Sequence, residues 1–247
     1  MTHRGTVGTG VLIAALAVSG VADARAQTAK PAAQRQPARP RPAFRPGSIE
    51  VDGGVLWLSG IDFGSTTAAI AANRTPAAEY PLFNTTGELK AGPAYEGRVG
   101  VRLTRMIGVE GAFQYSRQAL ETRITNDVEN AAGVTASNDL SRYVFEVSGV
   151  VHLTVLKVGK GGSPFVLGGF GYMRELDDEQ ALVETGRLYH AGGGFKYLFS
   201  ARTHGLVKGL GLRADARLYF RDGGFTLADT DELRRYFAGG ASLLVAF

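Results

Sequence analysis

From Ser48 to Phe247, apolar and polar residues alternate with a period of two, and no stretch carries the 3.6-residue period of a long amphipathic helix. The alternation predicts eight strands. The first spans about 48–59, with Ile49, Val51, Val55 and Trp57 on one face and Glu50 and Asp52 on the other. The second (92–103) sets Tyr95, Val99, Val101 and Leu103 against Glu96, Arg98 and Arg102. The third (107–117) sets Val109, Phe113 and Tyr115 against Glu110, Gln114 and Ser116. The fourth (141–154) sets Tyr143, Phe145, Val147, Val151 and Leu153 against Arg142, Glu146, Ser148 and His152. In the fifth (164–173) the contrast is weakest, because Val166, Phe170 and Tyr172 face one way while Phe165, Leu167 and Met173 face the other. The sixth (187–198) places Ala191, Phe195 and Tyr197 opposite His190 and Lys196. The seventh (209–220) sets Leu210, Leu212, Leu218 and Phe220 against Arg213, Asp215 and Arg217. The eighth (235–247) carries Phe237, Leu243, Val245 and Phe247 opposite Tyr236, Ser242 and small residues.

Which face points inward decides the class. A soluble sandwich or a lipocalin-like carrier turns its apolar face in. Here the apolar faces bear aromatic residues near strand ends (Trp57, Tyr95, Tyr115, Tyr143 and Tyr172), as an interfacial girdle in a membrane barrel does. The polar faces carry both signs of charge near strand centres, and such charges can pair in a polar lumen. Strands of about ten residues suit a tilted crossing of the bilayer. Hydrocarbon offers no partner to a free backbone amide, so the sheet must close on itself. The expected fold is therefore all-β: an eight-stranded antiparallel up-and-down transmembrane β-barrel over 48–247. Its narrow bore would be largely filled by side chains.

The connections alternate in length. Long ones are expected at 60–91, 118–140, 174–186 and 221–234, and short ones at 104–106, 155–163 and 199–208, which matches long outer loops and short periplasmic turns. The long segments hold Glu121, Asp127, Glu129, Asp139, Glu175, Asp177, Asp178, Glu179, Glu184, Asp222, Asp229, Asp231 and Glu232. The short ones hold Arg105, Lys157, Lys160, Arg202 and Lys208 and no acid, so acidic loops are expected at one end.

The N-terminal region changes how the charge is read. His3 and Arg4, then apolar Val11–Val21, then Ala24-Arg25-Ala26 fit a secretory signal peptide over 1–26, with Ala22-Asp23-Ala24 as a second possible cut. The apolar run is too short to span a bilayer as a helix. Residues 27–47 are rich in Pro, Ala and Arg and read as an extended linker. The chain has 27 Lys and Arg against 23 Asp and Glu, a net +4. The signal region takes two bases and one acid and the linker takes five bases, leaving 20 against 22 in the barrel. With no basic excess left, nucleic acid is not an expected partner. The absence of cysteine removes a disulfide framework, thiolate metal ligands and a cysteine nucleophile.

These features resemble small bacterial outer-membrane β-barrel proteins, the OmpA transmembrane domain and the OmpX/Ail-like group. The likeness rests on the signal peptide, the eight alternating strands, the glycine-rich stretches Phe165–Tyr172 and Ala191–Phe195, and the C-terminal Tyr236–Phe247. It implies that Phe237, Leu243, Val245 and the terminal Phe247 form the signal read by the barrel-assembly machinery. It also implies a monomer in the outer membrane, in contact with lipid and lipopolysaccharide, with the linker in the periplasm. Members of the group range from structural anchors to adhesins, so an extracellular ligand is left unnamed.

Sites of chemistry are weighed next. Gly169-x-Gly171 and Gly209-x-Gly211 lack the strand-then-helix setting of a phosphate loop. A hydrolase site would sit near the outer rim, but His152 and His204 fall at the expected periplasmic end, and His190, nearer the outer end, has no His-x-Ser pair beside it. Asp177-Asp178-Glu179 and Asp229-x-Asp231-Glu232 lack the spacing of a calcium loop. No catalytic, cofactor or metal site is expected. The nine inward charges (Glu96, Arg98, Arg102, Glu110, Arg142, Glu146, Arg213, Asp215 and Arg217) are expected to pair and plug the bore, because an unpaired buried ion costs several kcal/mol. The expected role is non-enzymatic, structural or surface-interacting. The alternatives are a narrow solute pore and a lipid-modifying enzyme.

Overall fold

The structure, a computed structural model, describes residues 46–71, 79–156, 161–177, 183–202, 205–224 and 233–247. They fall within one of the two units of the chain, Pro40–Phe247. The expected signal peptide and all of the linker but its last two residues lie outside the described residues, as do Lys157, Lys160, Asp178, Glu179, His204, Asp229, Asp231 and Glu232.

Ten strands are formed: β1 (Ile49–Leu58), β2 (Ile61–Ala71), β3 (Glu79–Leu89), β4 (Gly92–Arg102), β5 (Ile107–Thr125), β6 (Val134–His152), β7 (Gly162–Asp177), β8 (Val183–Ala201), β9 (Gly209–Gly223) and β10 (Arg234–Ala246). Eight of them, β1 and β4 to β10, pair antiparallel in a ring. Neighbours in the chain pair from β4 to β10, and β1 closes the circle by pairing with both β4 and β10. No wall strand has a free edge along the barrel, as a sheet in hydrocarbon requires. The described residues contain no helix.

Both ends of the wall are now defined. The near end holds the termini of the barrel, where the Phe247 amide donates to the Ile49 carbonyl at 2.8 Å. It also holds the tight β4–β5 turn, in which Thr104 Oγ1 accepts from the Ile107 amide at 2.9 Å. The far end is longer than the sequence pattern predicts. β2 continues β1 after Ser59-Gly60, and β3 leads into β4 through Lys90-Ala91. β3 pairs with β5 from Asn84↔Thr125 to Leu89↔Leu120, and β5 pairs with β6 out to Ile124↔Val134. A four-stranded sheet (β2, β3, β5, β6) thus rises beyond the barrel rim.

This corrects the expected loops. Most of 60–91 is a hairpin, and 118–140 shrinks to the connection 126–133, entered at Asn126 and left through Asn130, both with φ of 57°. Asparagine tolerates that left-handed backbone better than most residues do. Glu121, Asp139, Glu175, Asp177, Glu184 and Asp222 are strand residues rather than loop residues. Glu175 is turned inward and 1% exposed, so it is not part of an outward acidic surface.

Side-chain parity follows the sequence. Along β4, positions 94, 96, 98, 100 and 102 face in, and Tyr95, Val99 and Val101 face out. The same inversion, apolar outside and charged inside, holds on β1, β5, β6 and β9. β7 differs: its inward Phe165, Leu167 and Met173 are buried, and its outward Val166, Phe170 and Tyr172 are exposed, so both faces are apolar.

Glycines let the narrow wall close. A Cβ at Gly194 would lie 2.3 Å from the Ala214 carbonyl oxygen and 2.7 Å from the Phe165 ring, so β8 can approach β9 this closely only without a side chain there. At the β1–β10 seam, a Cβ at Gly240 would lie 2.2 Å from the Val55 carbonyl oxygen.

Candidate functional site

The lumen holds the densest chemistry. Lys196 on β8 reaches across the bore to Glu50 on β1 and Glu110 on β5, at 2.7 Å each. Arg213 grips the other Glu110 oxygen at 2.6 Å and Asp215 at 3.1 Å, with Asp52 at 3.5 Å. Arg98 on β4 meets Asp215 on β9 at 3.0 Å and is also paired with Glu96. Arg217 binds Asp215 at 2.7 Å, Glu96 at 2.9 Å and Glu146 at 3.2 Å. Arg102 pairs with Glu50 at 3.4 Å and lies 3.0 Å from a His152 ring nitrogen, which accepts from it. Gln114 donates to Glu96, Glu146 and the Tyr219 hydroxyl, joining the layers.

Six carboxylates (Glu50, Asp52, Glu96, Glu110, Glu146, Asp215) thus meet five cations (Arg98, Arg102, Lys196, Arg213, Arg217), all at most 7% exposed. The near balance matters, because ions this far from water are tolerated only when paired.

Eight of the nine expected lumen charges lie in this network. Arg142 does not. It is 2% exposed, has no ion pair among the described residues, and stacks its guanidinium 4.9 Å from the centre of the Tyr236 ring. The expectation that it pairs with the others is corrected. In register it stands beside Glu175, but Glu175 turns to Arg221 at 2.6 Å. Sequence parity put Glu50, Asp52, Gln114 and Lys196 on the inward faces as well, and that signal was enough to add them to the network.

Toward the far end the lumen becomes apolar. Leu56, Leu58, Ile61, Phe63, Leu89, Leu140, Val144, Met173 and Leu188 pack with Tyr219 and Tyr236 in one cluster. Tyr219 and Tyr236 stack at 4.8 Å and 4°, forming a partition between this cap and the ion pairs. Ile61 and Phe63 come from the hairpin that sequence reading left as a loop.

The structure also brings together a group that sequence could not. Ser148 Oγ lies 2.8 Å from His190 Nε2, and His190 Nδ1 lies 3.9 Å from Glu146 Oε2. Serine, histidine and carboxylate are the parts of a hydrolase triad. The third contact is too long for a hydrogen bond, and Glu146 is already engaged by Arg217 and Gln114. Ser148, His190 and Glu146 are 6%, 4% and 3% exposed, so no substrate carbonyl can reach the hydroxyl in this conformation. Among the described residues no cluster of His, Asp and Glu is arranged to hold a metal ion.

On the outer face, Trp57, Tyr95 and Tyr172 are 60%, 65% and 50% exposed, while Tyr115 and Tyr143 are half-buried against each other at 5.1 Å. Register places Tyr95 beside Tyr115 and Tyr115 beside Tyr143. All five expected girdle residues fall in the far half of the wall, and Tyr197 and Phe199 supply exposed aromatics near the other end. Phe237 and Leu243 are exposed on the outer face, with Val245 and Phe247 partly so.

Beyond the rim, Asp62, Glu88 and Glu121 stand in one cross-strand row, which would be repulsive if left bare. Lys90 bridges Glu88 at 2.9 Å and Glu121 at 3.0 Å. The Glu88 hydrogen bond, then that of Glu121, holds the Lys90 ammonium above its usual range. These residues line an open groove of about 510 Å³ that also touches Thr86, Arg123 and Thr135.

No protein-family profile and no curated protein matches the chain. Among solved structures it is similar to the outer membrane protein OprG of Pseudomonas aeruginosa, at 9% identity and a TM-score of 0.49, over 83% of this chain and 98% of that one. It is also similar to the N-terminal β-barrel domain of OprF from the same organism, at 14% identity and a TM-score of 0.37, over 82% and 98%. A third is Ail, the attachment invasion locus protein of Yersinia pestis, in complex with the heparin analogue sucrose octasulfate, at 13% identity and a TM-score of 0.41, over 82% and 99%.

Proposed function

We propose that this chain is a non-enzymatic outer-membrane barrel whose lumen is closed by its own side chains and whose role lies at the cell surface. The observation that carries this reading is the inversion of the wall: charge-paired inside, apolar and aromatic outside. Bilayer is the solvent that rewards such an exterior. The near end, with the termini and short turns, would face the periplasm together with the linker. The far end would carry the four-stranded extension outward, above lipid and lipopolysaccharide. Phe237, Leu243, Val245 and Phe247, all on the outer face, would be available to the barrel-assembly machinery as the chain inserts, and the product is a monomer.

The chain has no native cysteine, so orientation can be read cleanly. Ser65→Cys in the extension should react with an impermeant maleimide on intact cells. Arg105→Cys in the β4–β5 turn should react only after the outer membrane is opened. Labelling of both on intact cells, or of neither with the protein in the soluble fraction, overturns the reading.

The Ser148–His190 contact favours one competing reading, a lipid-modifying enzyme. Burial argues against it. Mass spectra of lipid A from cells with the wild-type chain, with Ser148→Ala and with no copy should be the same. A modification present only with the wild type would establish the enzyme.

A further inference from the structure

Beyond the Tyr219–Tyr236 partition three inward arginines, Arg142, Arg221 and Arg234, come in from β6, β9 and β10, and Glu175 on β7 pairs with Arg221. Arg221 and Arg234 are cross-strand partners in register. The Phe63 ring lies 5.4 Å from the Arg221 guanidinium and 5.0 Å from that of Arg234. Arg142 lies against Tyr236, which is also near Arg221 and Glu175.

Nε, Nη1 and Nη2 of Arg142, Nη1 of Arg234 and the Tyr236 hydroxyl are buried with no hydrogen-bond partner. The first four are donors that cannot accept. A guanidinium sealed from water with no partner at all is among the costliest arrangements in a protein. Ring contacts at about 5 Å offset part of that cost but satisfy no N–H. What the group lacks is an acceptor carrying negative charge.

We propose that Arg142, Arg234 and Tyr236 form the donor set of an oxyanion site at the far mouth of the barrel, and that its ligand is a phosphate group. A phosphate monoester or inorganic phosphate, at about −1.5 to −2, brings three acceptor oxygens to these donors where a carboxylate brings two. Guanidinium forks also match phosphate oxygens two by two. Half-buried Arg234, at the β10 rim, marks the side from which the anion enters. Free phosphate and the phosphate of a lipid-borne saccharide share this chemistry.

The test is calorimetric titration of the refolded full-length chain in uncharged detergent micelles with inorganic phosphate, at constant ionic strength against chloride. Saturable one-to-one binding of phosphate is expected, with no heat from chloride. Arg142→Gln should weaken it at least about tenfold, the loss of one bidentate contact. Arg234→Gln, nearer the rim and so safer for folding, should also weaken it. Arg117→Gln, which removes an exposed arginine bonded to Asp139 at 3.0 Å, should leave affinity unchanged. A phosphorylated lipopolysaccharide that competes with phosphate where its dephosphorylated form does not would assign the ligand to the lipid, and failure of both to compete would assign it to free phosphate. Absence of saturable binding, or equal affinity in the wild type, Arg142→Gln and Arg234→Gln, overturns the site. Neither result depends on the orientation of the barrel in the membrane.

Discussion

Every buried inward charge but Arg142 is held by partner as well as by position. Glu110 neutralises Lys196 at 2.7 Å and Arg213 at 2.6 Å, and both cations are at most 1% exposed. Glu110→Gln keeps the shape and removes the charge. It should destabilise the barrel by about 3–5 kcal/mol, the usual cost of breaking a buried pair from one side. Urea unfolding in vesicles, followed by tryptophan fluorescence, would measure it; a loss below about 1 kcal/mol would mean that water reaches the network. Lys90→Ala at the rim removes ion pairs of similar length from an exposed position, and screening by solvent should hold the loss to about 1 kcal/mol or less, well below that of Glu110→Gln. Parity made nearly all of this legible, since every second residue of a strand faces the lumen. Parity does not say who meets whom across the bore. Arg217 and Glu96 are 121 residues apart, and Arg142 looks no different in sequence from Arg98, yet one is paired and the other is not.

At the scale of the strand, regularity decides what can be read. The wall strands were visible because an apolar outer face and a charged inner face alternate along them, least clearly on β7, where both faces are apolar. β2 and β3 were not visible. Their register shifts between Asp62 and Ser65 and again between Ala68 and Ala69, Gly64 takes a positive φ, and Pro81 interrupts β3. Bulges of this kind break the period of two. The outer halves of β5 and β6 were missed for another reason: beyond the barrel rim the polar–apolar contrast fades in Gln118–Thr125 and Val134–Asp139. The hairpin should therefore be separable from the wall. Replacing 66–83 with a two-residue Asn-Gly turn should keep heat-modifiable gel migration, whereas loss of the folded band would show that the extension is needed for closure. The wall itself should be intolerant. Gly194→Val pushes a side chain against Ala214 and Phe165 and should cost at least about 1–3 kcal/mol, the range for overpacking, in the same urea assay.

At the scale of the molecule, the reading of a closed lumen rests on two layers in series. Ion pairs span the bore toward the near end, and an apolar cluster to which Ile61 and Phe63 contribute lies toward the far end. A single open layer would not make a pore, because the other would still block it. This is why an eight-stranded wall lined with arginine need not conduct. The direct measurement is single-channel conductance of the refolded chain in a planar bilayer, with insertion verified by heat-modifiable migration. A closed lumen predicts a flat baseline for the wild-type chain. Steady, reproducible openings from inserted protein would contradict it, and the paired arginines would then be read as the lining of a pore.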